Sequence, residues 1–165
     1  GAASPYDVVV RMAERVNAKH YPMPLPVLPR SVNAKNQLHA MPHIAQNMNL
    51  AQHADVTFVG VGNLGTNSPL HLDGFVTPEE LDELQTGGAV GEIISWVFDK
   101  NGQLLDCGIN QRVASTPLIV GSDKPVFALA AGEDKVFAIF GALRSKLVNA
   151  LITNEYTAER LLSID

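Results

Sequence analysis

The sequence predicts a mixed α/β fold, a mostly parallel sheet covered by helices on both faces. Three apolar segments of strand length carry this prediction, at residues 55–61, 126–130 and 147–153. Two of them lead into helical patterns, with apolar residues at helical spacing from Val136 and a terminal helix at 155–162. Strands that alternate with helices over 165 residues favour a single α/β domain.

The first third of the chain supplies three helices and an extended passage. Ser4 and Pro5 are a typical helix start, and an apolar stripe follows that we expect to pack on the sheet (Val8, Val9, Met12, Val16). Residues 19–23 could form a short strand. Four prolines between Pro22 and Pro29 then predict an extended wall of the domain rather than a central strand. Residues 31–39 and 42–54 read as two helices.

The middle of the chain combines glycine-rich loops with a predicted hairpin. Gly60, Gly62 and Gly65 spell the G-x-G-x-x-G motif, but a loop follows instead of the helix that dinucleotide binding requires, so we expect a substrate-facing loop. Residues 78–84 form a helix that Thr77 caps and Gly87-Gly88 ends. Residues 89–98 and 103–110 are predicted as an antiparallel hairpin joined at 99–102, and 111–124 as irregular chain.

The turn after residues 126–130 could bind an anion. Unpaired backbone N–H groups of the helix that starts near Val136 point above the end of the strand, and Lys135 adds a positive charge there. The same residues also fit an ordinary strand-turn-helix unit with an exposed lysine.

Composition limits the possible partners and the compartment. The net charge of -5 argues against direct binding of nucleic acid by this chain. The single cysteine, Cys107, excludes an internal disulfide and fits a reducing compartment. The chain contains neither an apolar run of membrane-spanning length nor a secretory leader, and these features predict a cytoplasmic protein without a membrane partner.

No residue pattern predicts a metal, a cofactor or catalysis. Among five histidines only His39 and His43 have i,i+4 spacing, and Pro42 interrupts the helix which that spacing needs. Cys107 fits a small core residue better than a nucleophile. Glu92 stands among apolar residues of its predicted strand, where it either faces solvent or lines a cavity at the edge of the sheet.

Several short motifs occur in an order and spacing that resemble the C-terminal effector domain of SorC/DeoR-type bacterial transcriptional regulators. They are VGVG (59–62), GFVTPEEL (74–81), GAVGEI (88–93), FDKNG (98–102), AAGEDK (130–135) with AI (138–139), and NALITNE (149–155) with Ala158. The resemblance covers nearly the whole chain. It implies a Rossmann-like fold that is related to sugar-phosphate isomerases and glucosamine-phosphate deaminase. In the regulators, a phosphorylated sugar is expected to bind above the sheet, and the domain is expected to form an oligomer, either a dimer or a tetramer.

The resemblance also implies the site residues. Lys135 matches a lysine that meets the phosphate, Glu92 an acid that meets hydroxyl groups, and Gly62 and Asn63 the loop that lines the pocket. Gly132 lies on the turn where the family usually has Gly-Gly. Two acids, Glu133 and Asp134, precede the lysine, and we expect them to weaken the attraction for an anion.

The resemblance implies that residues 1–165 are an N-terminally truncated effector domain. The family's first α/β unit and the helix-turn-helix domain, through which alone operator DNA would be bound, are expected upstream of residue 1. Three functions stay open: a sensing and oligomerising domain without catalysis, an isomerase- or deaminase-like enzyme with Glu92 as acid/base, and an assembly module with a vestigial pocket. For the sensing function, we expect Glu92 and Lys135 to face one cavity at the carboxyl ends of the parallel strands.

Overall fold

The computed structural model describes residues 5–164 and has the predicted mixed α/β architecture. The predicted serine cap at Ser4 lies outside the described residues. The helices are α1 (Pro5–Val16), α2 (Val32–His39), α3 (Pro42–Gln52), α4 (Pro69–Leu72), α5 (Pro78–Thr86), α6 (Gly108–Arg112), α7 (Val136–Arg144) and α8 (Glu155–Leu162). The strands are β1 (Thr57–Gly60), β2 (Gly62–Asn63), β3 (Ala89–Ile93), β4 (Trp96–Asp99), β5 (Val126–Leu129) and β6 (Ala150–Ile152).

Two three-stranded sheets form the centre of the molecule. The first is parallel, in the order β1-β5-β6, with Val59, Ala128 and Leu151 in register. The second is antiparallel, in the order β2-β3-β4. Because β2 follows β1 after a single residue, the chain passes directly from the end of the parallel sheet into the antiparallel one.

Two apolar clusters hold these layers together. The larger one joins one face of the parallel sheet to β3, β4 and α7, and Ile93, Phe98 and Ile139 are fully buried in it. The smaller one gathers α4, α5 and α6 around β4. Leu28, from the proline-rich passage, packs against the smaller cluster, so this passage is a wall of the domain, as predicted.

The opposite face of the parallel sheet carries exposed apolar side chains. Phe58 is 57% exposed and stacks on Phe127, with 5.2 Å between the ring centroids. Leu129 and Ile152, in register with each other further along the strands, are also exposed. These four residues form a continuous apolar surface, called the Phe58 face below.

The structure corrects the predicted N-terminal packing. The stripe of α1 does not lie on a sheet, since Met12 is 63% and Val16 is 72% exposed, and Ala13 is its buried residue among those whose burial is described. Residues 19–23 form no strand, because no strand of the described chain lies alongside them to complete a ladder.

The predicted hairpin lies elsewhere in the chain. Residues 89–98 are not one strand, because they fold back at Ile94-Ser95 to give β3 and β4. The predicted return strand at 103–110 reduces to one bridge between Phe98 and Leu104, and α6 follows. A one-turn helix, α4, also interrupts the loop predicted after Gly62.

Candidate functional site

A cavity of about 360 Å³ opens where β1 ends, between the two sheets. Glu92, Asp73 and Lys135 supply its charged groups. Val27, Leu70, Phe75 and Ile94 contribute apolar walls. The cavity thus combines groups that can bind hydroxyls or an anion with apolar surfaces that can contact the C–H faces of a small polar ligand.

Glu92 reaches the cavity from the last but one residue of β3, where it pairs with Gly62 of β2. Its Oε1 lies only 2.1 Å from the position that a Cβ would take at residue 62. Gly62 therefore supplies the space for this carboxylate as well as part of the cavity wall. The backbone N–H of Ser95 donates a hydrogen bond of 2.7 Å to Oε2 and fixes the side chain.

Burial raises the pKa of the Glu92 carboxyl above its ordinary value, while the hydrogen bond from Ser95 and the charge of Lys135 oppose that rise. A carboxyl group in this setting can accept hydrogen bonds from ligand hydroxyls when ionised and donate one when protonated.

The turn that carries Ser95 has an unusual backbone. Ile94 and Ser95 both have positive φ angles, 44° and 75°, which L-residues rarely adopt. The carbonyl of Ile94 accepts a hydrogen bond of 2.6 Å from the Ser115 hydroxyl. The turn is therefore held from outside the hairpin, and its backbone presents the Ser95 N–H to Glu92.

Lys135 also lines the cavity, from the end of the 3-10 turn Glu133–Lys135 that leads into α7. It is half-buried, and its backbone N–H bonds the Gly132 carbonyl at 3.1 Å. Because this turn follows β5, the lysine stands at the carboxyl ends of the parallel strands. The structure thus brings Glu92 and Lys135 to one cavity, as the sequence predicted.

Gly132 shapes the lysine turn rather than lining the cavity. Its φ and ψ of 127° and 149° fall in a region that only glycine adopts readily. Its N–H donates a hydrogen bond of 3.0 Å to the hydroxyl of Thr157, a fully buried residue of α8. This bond ties the backbone of the turn to the terminal helix.

Asn63 also acts on the turn, and it is absent from the residues that line the cavity. Its buried side chain donates a hydrogen bond to Asp134 and accepts one of 3.0 Å from the Gly65 N–H. Of the five predicted site residues, Gly62, Glu92 and Lys135 face the cavity, whereas Asn63 and Gly132 position the turn.

The two acids before Lys135 are both engaged by other side chains. Glu133 accepts hydrogen bonds from Arg160 and Tyr156 of α8, and Asp134 accepts one from Asn63. The Arg160 and Tyr156 hydrogen bonds lower the pKa of the Glu133 carboxyl. The expectation that these acids weaken an anion site therefore needs revision for Glu133, whose charge is paired with an arginine.

Asp73 and Ser95 also line the cavity, although the sequence did not predict them there. Asp73 ends the short helix α4 inside a predicted loop, and Ser95 contributes through its backbone N–H. A second cavity of about 360 Å³ lies between α5 and α6, next to an ion pair of Arg112 and Glu80 at 2.7 Å. None of the five predicted site residues lines it.

Residues 5–164 contain no cluster of three or more potential metal ligands among His, Cys, Asp and Glu. Over the same residues, none of the helices has the length and apolar character needed to cross a bilayer.

Comparisons with known proteins agree with this architecture. The family model Sugar-bind, described as "Putative sugar-binding domain", matches residues 1–163. The chain is 30% identical over 161 residues to the erythritol catabolism regulatory protein EryD of Brucella abortus. This alignment covers 98% of the chain and 51% of EryD. It is 28% identical over 151 residues to the sorbitol operon regulator of Klebsiella pneumoniae, covering 91% of this chain and 48% of that protein.

Solved structures give the same result. The full-length sorbitol operon regulator SorC from Klebsiella pneumoniae superposes with a TM-score of 0.84 at 28% identity, covering 92% of this chain and 49% of that one. A transcriptional regulator from Streptococcus pneumoniae shares the fold, with a TM-score of 0.86 at 24% identity over 95% of this chain and 60% of that one.

The fold and the relatives agree: the named relatives are transcriptional regulators of the SorC/DeoR type, and a sugar-binding domain fits an effector-sensing role. The chain belongs to the Sugar-bind family. It spans about half the length of the curated relatives that it matches.

Proposed function

We propose that this domain senses a phosphorylated sugar in the cavity between Glu92 and Lys135 and relays its presence to a DNA-binding domain elsewhere in the protein. The observation that carries the proposal is the placement of these two side chains on one cavity at the carboxyl ends of the parallel strands. Ligands of α/β sheets bind at that edge. Residues 1–165 then act as one effector-binding domain without catalysis, and operator DNA is contacted through a helix-turn-helix domain in the cytoplasm.

Each end of the ligand has a matching group. Lys135 favours a phosphate because of its positive charge, and the positive dipole end of the turn and α7 adds to this attraction. The predicted unpaired N–H groups do not contribute at Lys135 and Val136, whose N–H groups bond the carbonyls of Gly132 and Glu133. Glu92 suits the hydroxyl groups of the sugar, since a fixed carboxylate accepts hydrogen bonds from them. Asn63 and Gly132 contribute by holding the turn.

Calorimetric titration with a panel of sugar phosphates and their unphosphorylated parents tests this proposal. In the full-length regulator, Lys135→Ala should weaken binding of the phosphorylated ligand by about 1.5–3 kcal/mol, the contribution of a hydrogen bond to a charged group, and leave the parent sugar unaffected. In residues 1–165 alone, where binding is expected to be weak, the same substitution should change little. Equal binding of wild type and variant would remove Lys135 from the phosphate site. Turnover of any of these compounds would favour an isomerase- or deaminase-like enzyme instead.

The domain is also proposed to form a homo-oligomer. The Phe58 face is a contiguous apolar surface, and such surfaces are typical of protein contacts. Sedimentation should reveal association at high concentration, and Phe58→Glu should reduce it. Val120→Glu changes an exposed residue outside that face and serves as the control. A monomer at every concentration would contradict this part of the proposal.

A further inference from the structure

The turn that carries Lys135 is an unfavourable anion site when considered alone. Glu133 and Asp134 contribute two negative charges and Lys135 one positive charge, so the turn by itself has an excess of one negative charge. An anion next to Lys135 would be repelled by this excess, since both acids lie within two residues of it. An arginine from another element compensates it.

Arg160 of α8 reaches Glu133 with two of its nitrogens. Its Nε lies 3.2 and 3.1 Å from the two carboxylate oxygens, and its Nη2 lies 2.8 Å from Oε1. The Tyr156 hydroxyl adds a hydrogen bond of 2.6 Å to Oε2. Arginine in a two-point contact fixes both the position and the charge of a carboxylate. Asn63, which bonds Asp134, is neutral and cannot do the same there.

Helix α8 also holds the backbone of the turn. Thr157 lies on the same helix as Tyr156 and Arg160, and its hydroxyl accepts the N–H of Gly132. The five hydrogen bonds involving Gly132 and Glu133 fix the turn against α8 just before Lys135, which lines the cavity at the end of the turn. The side chain of Glu133 is thereby directed to α8 and its charge is balanced.

We propose that Arg160 is a positioning residue for anion binding: it pairs with Glu133 outside the cavity and so leaves Lys135 to attract the anion. The inference rests on the proposed function, because it concerns the same phosphate position. Arg160 has no contact with the ligand in this scheme. The contribution of Arg160 to anion binding is electrostatic. It should therefore disappear when the charge of Glu133 is removed.

The test is a titration with inorganic phosphate and with glucose 6-phosphate at low ionic strength. Arg160→Ala should weaken binding about three- to tenfold, the effect of one unbalanced charge within several ångströms. Arg160→Ala combined with Glu133→Gln should restore affinity to within about twofold, because the unbalanced charge is gone. Arg160→Lys should retain affinity, and the loss in Arg160→Ala should shrink as salt is added.

A matched control is Arg112→Ala, which removes an arginine from an ion pair of similar length at the second cavity, 2.7 Å compared with 2.8 Å for Arg160 and Glu133. It should leave phosphate binding unchanged. Thermal melting of each variant checks that the fold persists. If Arg160→Ala binds phosphate as tightly as wild type, the inference is overturned. It is also overturned if the double variant binds as weakly as Arg160→Ala. Absence of wild-type phosphate binding, or its persistence in Lys135→Ala, overturns the proposed function itself, whatever the Arg160 variants do.

Discussion

Gly62→Ala should displace Glu92 without straining the backbone. The glycine has no positive φ angle, so the main chain tolerates alanine there. The new Cβ would lie 2.1 Å from Oε1 of Glu92 and 3.0 Å from its Cδ. Because no carbon and oxygen atoms approach this closely without a bond, the carboxylate must leave its position.

The size of the effect follows from what the carboxylate loses. It gives up the 2.7 Å hydrogen bond from the Ser95 N–H, and hydrogen bonds to charged groups contribute about 1.5–3 kcal/mol. Part of this loss is recovered when the carboxylate moves toward water. We therefore expect a decrease of about 1–2 kcal/mol in the free energy of unfolding, together with weaker binding of the sugar.

Urea unfolding measures this change, and Gly60→Ala is its control. Gly60 lines the same cavity, and a Cβ there meets nothing within 4 Å. Gly60→Ala should therefore be neutral or slightly stabilising. In a Glu92→Ala background, Gly62→Ala should cost nothing further, since the two residues act through one contact. An equal penalty with and without the Glu92 side chain would refute the reasoning.

Two further predictions concern titration and the link to α8. The Glu92 carboxyl has a raised pKa and so binds its proton more tightly in the folded state. The stability of wild type relative to Glu92→Gln should therefore fall as pH rises from the ordinary pKa of 4.5 through the raised folded value. Urea unfolding between about pH 4 and 7 checks this sign, and a difference that stays constant with pH would contradict it. Thr157→Val should lower the free energy of unfolding by about 1–3 kcal/mol, because the Gly132 N–H loses its buried partner. Thr157→Ser keeps the hydroxyl and should retain most of the stability. Equal losses in both variants would contradict the hydrogen-bond argument.

Features specified by neighbouring residues were predictable from the sequence. Helix α5 begins at Pro78 because the Thr77 hydroxyl and the Glu80 carboxylate each accept a backbone N–H, and this capping box spans only four residues. The unit of β5, turn and α7 likewise has its apolar run, glycine and helical spacing in one continuous segment. Such signals need no knowledge of the rest of the fold.

Features that depend on distant partners were not predictable in the same way. The stripe of α1 predicted a helix correctly, but its periodicity carries no information about which surface it meets. The charge of Glu133 was counted against an anion site because Arg160, which pairs with it, lies 27 residues further along the chain. In the cavity, Gly62 was identified as a loop residue, yet its space is required by a carboxylate on another strand.

The turn at Ile94-Ser95 leads to a final prediction. Hairpin turns in which both central residues have positive φ angles favour Asn-Gly, and a β-branched residue such as isoleucine is a poor fit, which is why the sequence placed the hairpin elsewhere. Ile94→Asn combined with Ser95→Gly keeps the backbone groups that bond Ser115 and Glu92 and relieves a left-handed conformation that costs about 1–2 kcal/mol per L-residue. The variant should gain about 1–2 kcal/mol in the free energy of unfolding, measured by urea denaturation.

A loss of stability would mean that the Ile94 side chain, which is 39% exposed and lines the cavity, contributes more by its apolar contacts than its backbone costs. A gain would show that the protein retains a strained turn beside Glu92, as expected where backbone geometry serves a binding site.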